Sequence, residues 1–522
     1  MNGAESLVHT LIACGITTVF ANPGTSEMHF VAALDRIPGI DCVLCLDETV
    51  ASGAADAFWR TTGRPAATLL HCGPGLANAL ANLHNARRGR SGIVNIVGDQ
   101  ATYHRPLDAP LTADTEGWAR SVSGFLRTAT SAATVGRDAA DAIAAARTGT
   151  IATLILPADT AWTEGGIPGT PRPVPNRPIP SPATIADIAT LLRTGEPAML
   201  LLGGRTLTDH GLRLAHAITA TTGTTLLAEV FNAKMERGQG RPPIERIPYP
   251  IDAAIAALTG IRHLILVEAK PPVGFFAYPG KPGALTPPDC TIHTLAALDQ
   301  DGTAALVALA TALDAPEPAI PVTPRPTPDR GTPNPGTPDR APIAPEAVAT
   351  SLAALLPHDA IIIDEGISFG RGFSRFTHGA APHTWMQVPG GAIGGGLPMA
   401  VGAAVAATGS GRRVVSIQAD GSAMYSIAAL WTAARRNLDL TIIILANRKY
   451  AILLHEYAGV GANPGRTAMD MLDLGNPNLD FVKLAAGMGI NAAQATSMPA
   501  LNTLLASSFD HKGPFLIELL TG

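Results

Sequence analysis

Cysteine is scarce: the 522 residues contain five, an odd number. Two of them, Cys42 and Cys45, form a C-x-x-C, but in "DCVLCLDE" they fall inside a strand-like run. Thioredoxin-like pairs open a helix, so this pattern argues against redox chemistry and for small buried hydrophobes. Charge is sparse too, at 15% of residues, and the net charge of −5 shows no basic excess. That balance argues against nucleic acid or an anionic membrane as the main partner. The stretch "MNGAESLVHTLIACG" carries an acid and lacks a basic n-region, so no signal peptide is expected. Long apolar runs are almost absent. The best candidate for a membrane span, "GGAIGGGLPMAVGAAVAATG" at 390–409, is broken by Pro398 and by glycines, which predicts the start of a tightly packed buried helix. The expectation is a soluble, cytoplasmic protein with no membrane or nucleic-acid partner.

What is plentiful is loop punctuation, with 53 Gly and 44 Pro in a chain that is 46% hydrophobic. The length exceeds what one core supports and predicts two to four domains. Over residues 1–165, apolar runs ("TTVFANPG", "VLCLDE", "AATLLHCGPG", "GIVNIVGDQ", "TLILPAD") alternate with helical stretches. That is the rhythm of βα units and a parallel sheet. A second such unit spans 183–313, with strands at "AMLLLGG", "TTLLAE" and "RHLILVE", and a third spans 343–522, with "AIIIDEG", "RVVSIQADG", "LTIIILAN" and "FLIELL". Proline-rich linkers lie at 166–182 and 314–342, the second read as an exposed tether. The predicted fold class is α/β, with three doubly wound parallel-sheet domains.

In "QADGSAMYSIAALWTAARR" a strand passes into a helix, and Asp420 with Gly421 stands at the junction. A buried carboxylate there must be paired or hold a metal. The next apolar strand ends at Asn447, so Asp420 and Asn447 fall at the carboxyl ends of neighbouring parallel strands, where ligands bind in open α/β sheets. Gly421 and Ser422 offer backbone N–H groups at a helix start, a seat for phosphate. A carboxylate and an amide oxygen beside such a seat describe a Mg²⁺ site. The plainer alternative is that Asp420 caps a helix and Asn447 makes a turn.

The Asp-Gly followed by this strand-ending Asn resembles the cofactor motif of thiamine-diphosphate (ThDP) enzymes. The resemblance covers essentially the whole chain, and the three-domain order is similar to the pyruvate oxidase, acetolactate synthase and benzoylformate decarboxylase branch. It implies ThDP and Mg²⁺ as cofactors, the metal held by Asp420, Asn447 and the main-chain oxygen of Lys449. Two departures, Ala419 for a glycine and Ala446 for an asparagine, lie beside these ligands and imply altered packing rather than lost binding. Gly421 and Ser422 would hold the diphosphate, and Ser368 in "DEGISFG" would add a hydroxyl. In "VPGGAIGGGLP" Ile393 would be the apolar wedge under the two rings, and the Gly391 carbonyl would accept from the 4′-amino group.

The same resemblance assigns Glu48, in "VLCLDETVASGAADAFWR", as the activating glutamate that hydrogen-bonds the aminopyrimidine ring. As a bare sequence it is also a first-turn glutamate favoured by the helix dipole. Neighbouring Asp47 fits the register less well. Ser26 in "NPGTSEMHF" and His71 in "LLHCGPGLANAL" look like the substrate-facing pair of benzoylformate decarboxylase, one binding a substrate oxygen and the other relaying protons. Their plainer readings are an N-cap and a satisfied, partly buried histidine. Asp99, Gln100 and His104 follow another strand. His104 reaches either the pocket or solvent, and His455 and Glu456 read as lid surface.

ThDP enzymes of this kind share each site between two copies, which implies a homodimer or homotetramer in which Glu48 meets Asp420 across an interface. The substrate would be a small 2-oxo acid. The middle domain shows no G-x-G-x-x-G fingerprint and the sequence runs only briefly past "GPFLIELL", which both weigh against an FAD requirement. Phe275 or Phe276 stands where a second catalytic histidine of benzoylformate decarboxylase falls. The leading expectation is an acetolactate-synthase-like decarboxylase and carboligase. The alternatives are a decarboxylase that does not ligate and a non-catalytic ThDP-fold subunit.

Overall fold

A strand that is apolar at every position has to be covered on both faces, which a parallel sheet flanked by helices achieves. The computed structural model, which describes residues 1–331 and 343–521, contains three such sheets. In the first, β1 (Thr18–Ala21), β2 (Asp41–Leu44), β3 (Ala66–Leu70), β4 (Ile93–Asp99), β5 (Phe125–Thr128) and β6 (Ile151–Pro157) lie in the order β2-β1-β3-β4-β6-β5, all parallel. Strand β5, "FLRT", was not foreseen. It is a short, partly exposed edge strand with no apolar run to announce it.

Cys42 lies on the other edge strand, β2, and is exposed, against the expectation for both cysteines of the pair. Only one face of an edge strand is covered there, and Cys45, which follows β2, is buried.

The second sheet is built from β7 (Ala198–Leu202), β8 (Thr225–Ala228), β10 (Glu245–Arg246), β11 (His263–Val267) and β12 (Thr291–Ala296), in the order β10-β8-β7-β11-β12. Strand β9 (Lys234–Arg237) leaves it. It pairs antiparallel with β14 (His383–Gln387), Met235 opposite Trp385, and so closes the edge of the third sheet. That sheet also holds β13 (Ile361–Glu365), β15 (Val414–Ala419), β16 (Leu440–Ala446), β17 (Asn491–Ala495) and β18 (Phe515–Leu520), in the order β17-β18-β16-β15-β13-β14-β9.

The described part of the second linker is not a free tether. Arg325 donates to the carbonyls of Ala354 (2.8 Å) and Leu356 (2.7 Å), capping the helix Pro345–Leu355, and Asn502 donates to Asp329 O at 2.6 Å. The rest of that linker, 332–342, lies outside the described residues, as does Gly522.

Residues 390–409 form a Gly-rich loop and then the buried helix Gly396–Ala407. No helix of the described residues is long and apolar enough to cross a membrane. This helix packs on Glu48–Thr62 of the first third, backbone against backbone. A Cβ on Gly402 would fall 1.9 Å from Ala54 O, and one on Gly53 would fall 2.5 Å from Pro398. The small residues between Ala51 and Ala57 permit that approach. Near its C-terminal end, buried Arg60 pairs with Asp56 and donates to Gln387 O (2.6 Å) and Ala233 O (3.3 Å), so one side chain ties all three parts of the chain.

Candidate active site

Strands β15 and β16 run side by side, Ala419 opposite Leu445, so Asp420 and the Asn447–Lys449 loop emerge together at one sheet edge. Asp420 is 2% exposed. Its Oδ1 accepts from the Gly421 N–H at 2.8 Å and its Oδ2 from the Arg448 N–H at 2.6 Å. Burial pushes its carboxyl up, and these backbone donors oppose the rise. Among the described residues no Lys, Arg or His lies within ion-pair distance of it.

Arg448 takes a left-handed turn (φ 59°) that folds the loop over Asp420. Asn447 Oδ1 accepts from Lys449 N at 3.0 Å, and the Lys449 carbonyl accepts from Ala451 N at 2.9 Å. The loop is held by Leu474 N to Arg448 O (2.8 Å) and Tyr450 N to Leu472 O (2.9 Å). A Cβ on Gly421 would lie 2.5 Å from the Tyr450 ring, so glycine is required for the loop to close. Ser422 turns its hydroxyl back to Ala419 O at 3.0 Å.

The single helix expected after Asp420 is three pieces: Asp420–Ala423, a 3-10 turn at Met424–Ser426, and Ala429–Arg435. Tyr425 packs on Gly394, where an added Cβ would come within 2.5 Å, and the chain tightens at that contact.

The Gly-rich loop is clamped from two sides. Buried Glu365, ending β13, accepts from the N–H groups of Gly394 (2.8 Å), Gly395 (3.3 Å) and Gly396 (3.0 Å). Burial pushes Glu365 up to about 7 against the pull of those donors. From the first third, Asn85 donates to Ala392 O (2.8 Å) and accepts from Ala392 N (3.2 Å), and His84 Nε2 lies 3.2 Å from Gly390 O. Gly391 has φ 74° and faces the Phe275 ring, while Ile393 is half-buried.

At the first sheet's edge Asp47 is spent as an N-cap, accepting from Thr49 N at 2.7 Å. Glu48, 5% exposed, opens the helix and accepts from Asn78 Nδ2 at 3.1 Å. A Cβ on Gly75 would lie 2.7 Å from its Oε1.

Ser26 and His71 come together with two residues the sequence reading passed over, Glu27 and Cys72. Buried Glu27 lies 3.0 and 3.1 Å from His71 Nδ1 and accepts from Gly24 N (2.8 Å) and from the Ser26 hydroxyl. Ser26 Oγ is 3.4 Å from His71 Nδ1 and 3.2 Å from Cys72 Sγ. Ser26 is therefore no N-cap; it sits inside the 3-10 turn Thr25–Glu27. The Gly-Pro-Gly after His71 is not a free turn but the first turn of the helix Cys72–Gly89, where proline is tolerated. Burial pushes the Cys72 thiol up to about 11. Glu27, His71 and Cys72 could share an ion, with ligand atoms within 4.8 Å of one another, but Nδ1 already has its partner in Glu27.

Asp99 Oδ1 accepts from Gln100 N at 2.8 Å, and His104 is half-buried. His455 is exposed and lies at the cavity that Glu456 lines. Glu456 is not bare lid surface. It accepts from Tyr278 and Tyr249 (3.3 Å) of the middle segment. With Phe275, Ser368 and Arg371 it lines a cavity of about 340 Å³. Ser368 thus faces this cavity. Arg371 stacks 3.9 Å from the Tyr249 ring. No hydrogen bond or ion pair among the described residues joins Glu48 to Asp420.

Two sequence profiles match these two edges. "Thiamine pyrophosphate enzyme, N-terminal TPP binding domain" matches residues 1–118, and "Thiamine pyrophosphate enzyme, C-terminal TPP binding domain" matches 369–519. A Mycobacterium tuberculosis protein named for an acetolactate synthase large subunit, IlvX, is 47% identical over 100% of this chain and 99% of its own length. The chain belongs to the thiamine pyrophosphate enzyme family.

Within that family it is related to benzoylformate decarboxylase of Pseudomonas aeruginosa, 28% identical over 97% of this chain and 96% of that one. Its fold is shared with a solved Rhodococcus jostii RHA1 thiamine diphosphate-dependent 4-hydroxybenzoylformate decarboxylase, at a TM-score of 0.82 and 24% identity over 100% and 99% of the two chains. The thiamine pyrophosphate profiles take in Ser26, Glu48, His71, Gly391, Asp420 and Asn447 but not Glu365. Glu365 carried the same signal that singled out Asp420, an acid ending an apolar strand. Asn85 carried none, because its partner Ala392 lies 307 residues away.

Proposed function

We propose that the chain binds ThDP with Mg²⁺ and decarboxylates a small 2-oxo acid, then joins the product to a second carbonyl compound, as an acetolactate synthase does. The observation that carries this reading is Asp420: a buried carboxylate with two backbone donors, no cation, and a strand-end amide beside it. That donor set suits a hard divalent ion with oxygen ligands.

When bound, ThDP supplies a carbon nucleophile and an electron sink for loss of CO₂ from a 2-oxo acid. Asp420, Asn447 and the Lys449 carbonyl would hold Mg²⁺. The Ser422 N–H, and the Gly421 N–H once released from Asp420 Oδ1, would receive the diphosphate, with Ser368 as a further hydroxyl. Ile393 would support the rings and the Gly391 carbonyl would accept from the amino group. Glu48 holds a proton at the pyrimidine, with Asn78 fixing the carboxyl's orientation. Ser26 would orient the substrate carboxylate by turning its hydroxyl away from Glu27. Glu27 accepts a hydrogen bond from His71 Nδ1–H in the tautomer that leaves Nε2 free to move a proton at the reacting carbon. In the proposed assembly, Glu48 of one copy would serve the cofactor held by Asp420 of another.

A second reading, decarboxylation alone, draws on the His71–Glu27 pair, a ready proton source for quenching the product as an aldehyde. Product analysis separates the two. The chain with ThDP and Mg²⁺ is given pyruvate and a panel of branched and aromatic 2-oxo acids. Acetolactate or an acyloin is expected; aldehyde alone favours the second reading, and no CO₂ release with any acid ends both. Glu48→Gln is expected to abolish exchange of the thiazolium proton, and unchanged exchange removes Glu48 from its role.

A further inference from the structure

The second sheet carries a row of titratable groups that the proposed turnover does not use. Three neighbouring strands, β7, β11 and β12, supply them near the ends where they begin: Glu196 precedes β7, His263 opens β11, and His293 lies in β12, the edge strand. His263 stands opposite Thr291 and Ile265 opposite His293. Positions two apart along a strand share a face, so the two imidazoles project from the same side of the sheet.

His263 Nε2 lies 3.2 Å from Glu196 Oε2, and His263 Nδ1 lies 3.1 Å from His293 Nε2. The rings are tilted by 51° rather than stacked. A carboxylate accepts and does not donate, so Glu196 selects the His263 tautomer with its proton on Nε2. The Nδ1 lone pair is left facing His293 Nε2. Two nitrogens so placed share either a proton or a metal ion. Metal–nitrogen bonds of about 2.0–2.1 Å, meeting at about 90–109°, set their nitrogens ~2.8–3.4 Å apart. The observed 3.1 Å falls inside that range. A carboxylate on the far nitrogen is what fixes the ring and raises its basicity in metal-binding histidines. Burial first, and then the neighbouring His263, hold His293 below the ordinary imidazole range, in the neutral form that ligates.

We propose that His263 and His293 form a two-histidine site for a borderline divalent transition-metal ion of the Zn²⁺ or Cu²⁺ kind, with Glu196 holding the His263 ring and water completing the coordination. Imidazole nitrogen suits such ions, whereas Mg²⁺ takes oxygen, so this site and the proposed cofactor site select different metals. An ion here fastens the edge strand β12 to β11 through side chains as well as through the backbone ladder. Nothing in the proposed turnover uses these residues, so the site stands or falls apart from that reading.

The test is calorimetric titration of the ThDP- and Mg²⁺-saturated protein with Zn²⁺, together with electron paramagnetic resonance of the same protein given one equivalent of Cu²⁺. One saturable Zn²⁺ site per chain is expected, persisting in excess Mg²⁺, and the copper spectrum should show nitrogen hyperfine splitting. His293→Ala is expected to abolish the uptake. Glu196→Ala, at a half-exposed position, is expected to raise Kd by roughly tenfold, and it keeps the test open if His293→Ala fails to fold. His71→Ala, at the other cluster whose atoms could share an ion, is expected to leave the uptake unchanged. Displacement by Mg²⁺, a copper spectrum without nitrogen splitting, uptake lost in His71→Ala, or an unchanged Kd in Glu196→Ala overturns the proposal.

Discussion

Two buried aspartates stand at opposite ends of electrostatic satisfaction. Asp56 and Asp420 are both nearly inaccessible, and burial pushes both carboxyls up. Asp56 is answered in full. Arg60 Nε donates to it at 2.7 Å, Arg60 Nη2 donates to the other oxygen, and Ser91 adds a hydroxyl. Asp420 receives two backbone N–H groups and no cation. The first arrangement is complete and joins three parts of the chain. The second is left without a cation among the described residues, which is what the proposed metal would supply, and the difference separates the two aspartates better than burial does.

The largest effect expected from breaking this contrast is at the complete pair. Arg60→Met leaves Asp56 buried without its partner and is expected to cost about 3–5 kcal/mol, read from urea midpoints without cofactor. A loss below about 1 kcal/mol would place Asp56 in the same class as Asp420.

Next comes Glu365, a buried acid held by three backbone donors. Its folded value of about 7 lies above the ordinary carboxylate range. Between roughly 4.5 and 7 the folded chain keeps a proton that the unfolded chain releases, so stability falls as pH rises through that window and levels off above it. The span corresponds to about 3 kcal/mol. Glu365→Gln should flatten that part of the stability–pH curve, and a curve that keeps its slope assigns the effect elsewhere.

Asp420→Asn sharpens the comparison from the other side. Without cofactor its stability should stay within about 1 kcal/mol of the parent, because no ion pair is broken. With ThDP and Mg²⁺ at about a hundred times Kd, the parent should gain about 2.7 kcal/mol and the variant none. Equal gains would move the metal off Asp420. The smallest effect is at Glu456, where Tyr278→Phe removes one donor worth about 1 kcal/mol. Faster amide exchange confined to the helix Ala451–Val460 would register it, and uniform exchange would show that the clasp holds nothing.

By itself the sequence determined the three α/β units and the placement of Asp420 and Asn447 at one sheet edge. Consecutive strands of a βαβ unit end on the same sheet edge, so an acid and an amide closing neighbouring apolar runs must meet there. It also singled out Glu48, from an acid between a strand and a helix of small residues. Tertiary structure alone decided the rest: β9 crossing to the third sheet, Glu27 beneath His71, Glu365 and Asn85 around the Gly-rich loop, Glu456 clasped by two tyrosines. Most of these contacts join residues tens to hundreds of positions apart. Local pattern carries no information about such partners, because they are selected by which backbone donors and buried charges remain unsatisfied once the sheets have packed.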